Sequence, residues 1–420
     1  MIYEKQTDAT IPPKLGSNEQ TTINQRNNLF LWSKEQQTSL YGTGVKYVEN
    51  FRKTITRIMP NSLLGQDFYY RLTTSLFLGQ TSSQIQSLPK RLLTKDVVPK
   101  AIHSHNDYWR ELPLFDALTH GATSVEADVW YVKNSYSKYV LAVGHNKAYL
   151  DTENTTLYNL YTGPLLALLK PPSALLKKNP ELKETGVFYN EPHRTLYLYI
   201  DFKTEADVET YELLLKYLAP LVDCNLVSYY DLMKEVTVSR PITVIATGNY
   251  PEYLATAGGQ LSNNLQGSFK RYVFKDLTML PVIDNETDLD TFGKELEKVV
   301  KRYSEDFNAL TASISFKNFI KDFTSFTKHD PNDYLRRYIE ICHKYNLKVR
   351  IWDTPEWPLA NAVYVWQKLI NYYKVDLLCV DNLDLACSLQ ELHTFDEPDI
   401  EKSQHKLPSY EIDDNVVNII

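Results

Sequence analysis

Glu126 and Asp128 stand two residues apart in SVEADVW, the spacing that puts two carboxylates on one face of a β-strand. Two like charges that close repel, and keeping both ionised inside a folded protein is costly. A divalent cation removes both difficulties. Asp201, in YLYIDFKT, closes a different strand-like run and could supply a third oxygen. An all-oxygen ligand set of this kind suits Mg²⁺, or another hard cation such as Ca²⁺, with water completing the shell. The plainer alternative pairs these carboxylates with basic residues at a rim. Lys203 follows Asp201 by two and shares its face, so its ammonium could hold a phosphate oxygen or simply bridge to Asp201.

His105 and His145 end two further apolar runs, PKAIHSH and YVLAVGH. A pair of imidazoles on opposite sides of a phosphorus centre can divide the work of base and acid, and histidine titrates in the right range without help. His103 competes with His105, because residues two apart share a strand face. His105 is preferred, since Asn106 and Asp107 follow it at the start of a loop, where chemistry collects. Other chemistries fit poorly. The chain has no G-x-S-x-G elbow, Walker A loop, dinucleotide glycine motif or H-E-x-x-H.

These groups need a scaffold that brings several strand ends together. From about residue 98 the chain alternates strand-like and helical segments. TSVEADVWYV, PITVIATGN, RYVFKDL, LTASISF, LKVRIWDT and VDLLCVDN are among the strands, with DVETYELLLKYLAPLV, DTFGKELEKVVKRY and LANAVYVWQKLINYY among the helices. The strand candidates exceed eight. The expectation is therefore an α/β fold, a (β/α)8 barrel over residues 98–392 with one extra hairpin strand, whose chemistry sits at the C-terminal strand ends. Residues 30–97 read as a helical N-terminal extension. Residues 1–29 are polar and read as a disordered arm, and residues 393–420 as a polar tail.

Composition narrows the partners. A net charge of −7 and a pI near 5.8 argue against a general nucleic-acid binder while leaving room for a small basic pocket. Cys224, Cys342, Cys379 and Cys387 are scattered and read as reduced thiols. The opening MIYEKQTDATIPPK lacks a basic segment followed by an apolar one, and no apolar run reaches bilayer length, so an intracellular protein is the expectation. The helical N-terminal segment and 30 tyrosines could serve a lipid surface or a partner.

At these residues the chain resembles the phospholipase-C-like phosphodiesterase superfamily, which includes glycerophosphodiester phosphodiesterases and sphingomyelinase D. The likeness runs through LFDALTHGATSVEADV, His145, IDFKT, RIWDT and DLLCVDN. More closely, IHSHNDYWRELPLFDALTHGATSVEADVW and LYTGPLLALL are similar to the fungal altered inheritance of mitochondria protein 6 family, over roughly residues 98–390. The resemblance implies a metal-dependent phosphodiesterase acting on a small phosphodiester or a phospholipid head group. It places the catalytic histidines on His105 and His145, and the metal carboxylates on Glu126, Asp128 and Asp201. Lys203 would lie beside the phosphate, an aromatic that packs on substrate falls on Trp352, and a late polar contact falls on Asn382. Asn106 stands where glycerophosphodiesterases carry a phosphate-holding arginine and is expected to take that phosphate-side place, and no cysteine lies near His145 as in secreted sphingomyelinase D. The competing reading is an inactive barrel kept as a binding module, with a role in mitochondrial inheritance implied by the family name alone; a monoesterase is a third.

Overall fold

The structure is a computed structural model that describes residues 42–58, 66–77, 88–169, 186–205, 208–251, 269–281, 287–326 and 330–389. The expected arm (1–29), the start of the expected helical extension (30–41) and the tail (393–420) lie outside the described residues.

Eight parallel strands close a barrel: β1 (Lys100–Ser104), β2 (Ala122–Lys133), β4 (Leu196–Phe202), β7 (Ile242–Gly248), β9 (Val273–Leu277), β10 (Thr311–Ser315), β11 (Lys348–Trp352) and β12 (Leu377–Val380). β1 pairs with both β2 and β12, which closes the ring. The extra hairpin strand is β3 (Tyr139–Val143), antiparallel to the far half of β2 with Val143 opposite Val129. The apolar runs read from the sequence account for these nine strands. They did not reveal a small three-stranded sheet of β5 (Tyr229–Asp231), β6 (Val236–Val238) and β8 (Lys270–Arg271), whose strands are too short to show a period.

Helices cover the outside by burying one stripe each. The helix Leu289–Phe307 places Phe292, Leu296, Val300 and Tyr303 on one face, all buried. Side chains of this size contribute roughly 1.5–3 kcal/mol each when fully buried. Asp288 caps its first turn by accepting from the Thr291 amide at 2.7 Å. Before the barrel, helices Gly42–Ile58, Gln66–Phe77 and Leu88–Thr94 bury Tyr47, Phe51, Phe68, Leu72 and Leu93 in the same core. Arg52 ties the first of them to Glu111, in the loop after β1, through two hydrogen bonds of 2.7 and 2.5 Å. The Tyr69 ring packs on Phe115 of the first barrel helix, Phe115–His120, at 5.7 Å. That helix ends at Gly121, where φ is 86° and a Cβ would fall 2.3 Å from the Val98 carbonyl oxygen, so only glycine fits.

Among the described residues no helix is long and apolar enough to cross a membrane, and all four cysteines are free.

Candidate active site

Strand parity sorts the barrel interior into layers. Tyr197, Tyr199, Ile245, Phe274 and Leu377 form an apolar plug separate from the core under the helices. One step along the strands lie His103, Glu126, Asp276, Ser313 and Arg350, all buried. A further step brings His105, Asp128, Asp201, Trp352 and Asp381 to the C-terminal mouth. The side chains expected at the strand ends therefore lie at one end of one barrel.

Asp128 and Asp201 are direct neighbours across the β2–β4 pairing. With Glu126 they form a cluster in which one oxygen from each lies within 4.8 Å of the others. Gly248, at the end of β7, makes room for it: a Cβ there would fall 1.9 Å from Asp201 Oδ1. Burial, together with the charges of Glu126 and Asp201, raises the Asp128 pKa to about 6, against a downward pull from Lys203 and Tyr108. Burial also acts upward on Glu126, but His103, Arg350 and His105 hold it well below the ordinary range. Lys203 Nζ bridges Asp128 at 3.0 Å and Asp201 at 2.7 Å. Burial opposes its charge and the two carboxylates more than restore it, so its pKa is raised. Three oxygens at chelating distance, under mutual repulsion that one ammonium only partly relieves, fit a hard divalent cation.

The two histidines of HSH have separate situations. His103 is completely buried; its Nε2 accepts from Arg350 Nη1 at 2.8 Å and its Nδ1 meets Ser124 Oγ at 2.7 Å. Burial and the Arg350 charge lower its pKa to about 4, so it stays neutral. His105 is partly open, with Nδ1 at 3.1 Å from Asp381 Oδ1 and Nε2 at 3.7 Å from Glu126 Oε2. Burial presses its pKa down, but the Asp381 hydrogen bond and the Glu126 charge outweigh this and raise it. Asn106 sits in the left-handed region at φ 45°, which asparagine tolerates, and so turns its amide to Glu126 Oε2 at 3.0 Å. Its side-chain amide reaches Asp381 at 3.3 Å.

His145 follows β3 into the mouth. The Gly144 amide donates to the Asp128 carbonyl at 3.0 Å, which sets the height of the imidazole, and Nδ1 lies 3.3 Å from Asp128 Oδ2. Its ring packs beside Trp109 at 5.3 Å. Tyr108 has its hydroxyl 2.6 Å from Asn106 Oδ1 and 2.7 Å from Asp128 Oδ2, so one proton serves two acceptors. Burial and Asp128 push the Tyr108 pKa up, and the phenol remains a donor.

The structure thus brings together His105, Asn106, Glu126, Asp128, His145, Asp201 and Lys203. Trp352 ends β11 on the same face as Arg350, half-buried. Asn382 lies one residue beyond Asp381, and its side-chain oxygen caps the helix Leu383–Ser388 by accepting from the Leu385 amide at 2.9 Å. The residues assigned no role from sequence are Asp381, Arg350, Tyr108 and Asp107. Asp107 is fully buried and accepts from Ser104 Oγ, the Leu114 amide and Tyr161 OH at 2.6 to 2.9 Å, which locks the loop after β1. Arg110 joins Ser104 Oγ at 2.7 Å to the Asp381 carbonyl at 2.9 Å. Asp381 was readable as the polar end of DLLCVDN, and Arg350 as a lone charge inside LKVRIW.

Comparison with known proteins bears on this site. Residues 91–261 match the family model described as an AIM6-like phosphodiesterase domain. The chain is 38% identical over 308 residues to altered inheritance of mitochondria protein 6 of Zygosaccharomyces rouxii, covering 71% of each chain. The same protein of Saccharomyces cerevisiae shares 38% over 335 residues, 76% of this chain and 79% of that one. A solved phosphatidylinositol-specific phospholipase C from Listeria monocytogenes is 13% identical, over 63% of this chain and 92% of that chain. Its TM-score of 0.27 is too low to carry an argument.

Proposed function

The chain belongs to the altered inheritance of mitochondria protein 6 family and carries its AIM6-like phosphodiesterase domain; on that footing we propose that it is a metal-dependent phosphodiester hydrolase working by a two-histidine acid–base mechanism. The observation that carries this reading is the flanking of one carboxylate cluster by two imidazoles, His105 against Glu126 and His145 against Asp128.

Glu126, Asp128 and Asp201 would hold a divalent cation, with Mg²⁺ the leading choice, which supplies Lewis-acid polarisation of a phosphoryl oxygen when bound. Asp381 accepts from His105 Nδ1, so Nε2 is the basic nitrogen and takes the proton of the attacking hydroxyl. That hydroxyl belongs to water or to the substrate itself; in the second case a cyclic phosphate forms first. His145 gives a proton to the leaving oxygen. Lys203 faces the phosphate and balances its charge, and Asn106 keeps Glu126 and Asp381 in place. Trp352 packs on the substrate. Asn382, with its oxygen engaged as a cap, offers its amide nitrogen.

The test is turnover of a panel of glycerophosphodiesters, lysophospholipids, sphingomyelin and phosphoinositides by the purified protein, with Mg²⁺ and with a chelator, beside Glu126→Ala. Chelator-sensitive cleavage that the variant loses supports the proposal. Folded protein that binds phosphodiesters without turning over any of them would make the barrel a binding module instead.

A further inference from the structure

The His145 side chain is 53% exposed and stands just past the end of β3. From His145 to Tyr149 every residue is exposed, so no packing beyond the histidine fixes its place. Its own ring contacts are loose: Nδ1 lies 3.3 Å from Asp128 Oδ2 and 3.5 Å from the Tyr108 hydroxyl, long for hydrogen bonds. The residue before it is held far more tightly. Gly144 donates its amide to the Asp128 carbonyl at 3.0 Å, and its own carbonyl accepts from the Trp130 indole N–H at 2.6 Å. That carbonyl and the His145 amide belong to one planar peptide unit, so the indole fixes the plane from which the histidine side chain departs.

The reach of Trp130 follows from the strand. It stands two residues beyond Asp128 on β2, on the face that carries Glu126 and Asp128. Across the hairpin it opposes Ala142, whose methyl is small enough for the indole to lie past it toward Gly144. An indole nitrogen is a donor only, and this half-buried one is matched to a carbonyl. His105 is anchored differently, by its own amide on the Val380 carbonyl at 3.0 Å and by Asp381 on its ring.

We infer that Trp130 is the positioning residue for His145: its indole N–H locks the Gly144–His145 peptide and so aims the imidazole at the oxygen it protonates. The part that concerns proton transfer rests on the proposed phosphodiesterase; the hold on His145 does not. A reacting group misplaced by about 1 Å loses about 10²-fold in rate, so a loosened peptide here is read in turnover.

The experiment compares the full-length wild type with two variants. Trp130→Phe keeps a ring and loses the donor; Trp130→Gln places an amide N–H as many bonds from Cβ as the indole N–H. Each is read by the His145 imidazole Cε1–H resonance, assigned with His145→Gln, and by turnover of an alkyl and a nitrophenyl diester of one class. In Trp130→Phe the His145 resonance should shift and broaden while that of His105 stays. Its kcat on the alkyl diester should fall about tenfold with KM little changed, and most of the rate should return on the nitrophenyl diester, whose leaving oxygen needs no proton. Trp130→Gln should restore the resonance and most of the alkyl turnover. An unmoved His145 resonance in Trp130→Phe, or equal losses on both diesters, overturns the inference. A shifted resonance with no diester cleaved even by wild type supports the hold on His145 and removes the phosphodiesterase reading. Should neither variant fold, wild type alone decides: the Trp130 indole N–H should exchange with deuterium about tenfold more slowly than that of Trp357, which is 78% exposed, and equal rates overturn the inference.

Discussion

Two neighbouring layers of the barrel hold histidines two residues apart at the end of one strand and treat them in opposite ways. In the buried layer His103 is locked between Arg350 and Ser124 and kept neutral. In the mouth His105 meets Asp381, keeps an open edge, and has its basicity raised. The buried layer engages its one cation from several sides: Arg350 reaches His103, Glu126 and Ser313 and lies over the Tyr199 ring. The mouth leaves its carboxylates crowded and its imidazoles reachable. The first layer is a foundation that fixes Glu126 in one orientation, and the second is where the proposed mechanism handles protons and phosphate.

The sharpest way to break this contrast is to remove the foundation. Arg350→Met leaves Glu126 buried without its cation and should cost about 3–5 kcal/mol of stability, read from urea unfolding. An unchanged midpoint would mean that the buried pairing holds nothing in place. Next comes the pH dependence of His103. Its folded pKa is about 4, below the unfolded value near 6.5, so over that interval the unfolded chain binds more protons. Stability should therefore fall by about 3 kcal/mol from this residue as the pH drops from about 6.5 to about 4. A His103→Gln variant, less stable throughout, should show a shallower slope there.

In the mouth, Asp381→Asn should lower kcat by about 10²-fold or more, because His105 loses the group that orients it and raises its pKa. A base must be deprotonated to act, so under the proposed mechanism the rising limb of the wild-type rate profile should lie above the ordinary histidine value and should move to lower pH in the variant. A limb that stays in place would detach Asp381 from the base. The smallest effect belongs to Asn382→Ala, which removes a helix cap and should cost about 1 kcal/mol. If only stability changes, Asn382 is a cap alone; a rise in KM as well makes it a substrate contact.

The division between layers explains what the sequence could convey. Asp201 of β4 and the histidines just after β1 and β3 were legible because each ends an apolar run, and Glu126 and Asp128 because two carboxylates alternate within one, where strand parity assigns a shared face. The nine-strand count was legible for the same reason. Asp381 went without a role because nothing local links it to His105, which lies 276 residues away along the chain. Arg350 was overlooked because one charge within an apolar strand reveals its partners only once the barrel closes. Tyr108 and Asp107 lie in a loop whose shape, set by the left-handed Asn106 and by Tyr161 from another segment, has no periodic signature. Parity reports a face, and closure decides who meets across it.

His105 and His145 are proposed to share acid–base work on a phosphodiester. The most direct measurement compares His105→Ala and His145→Ala on two diesters of one class, one with an alkyl alcohol as leaving group and one with a nitrophenol. A nitrophenolate leaves without being protonated. His145→Ala should therefore lose about 10²-fold or more on the alkyl diester and recover most of the rate on the nitrophenyl diester, whereas His105→Ala stays impaired on both. Wild-type rates in both variants, or the same loss on both diesters for His145→Ala, would contradict the assignment.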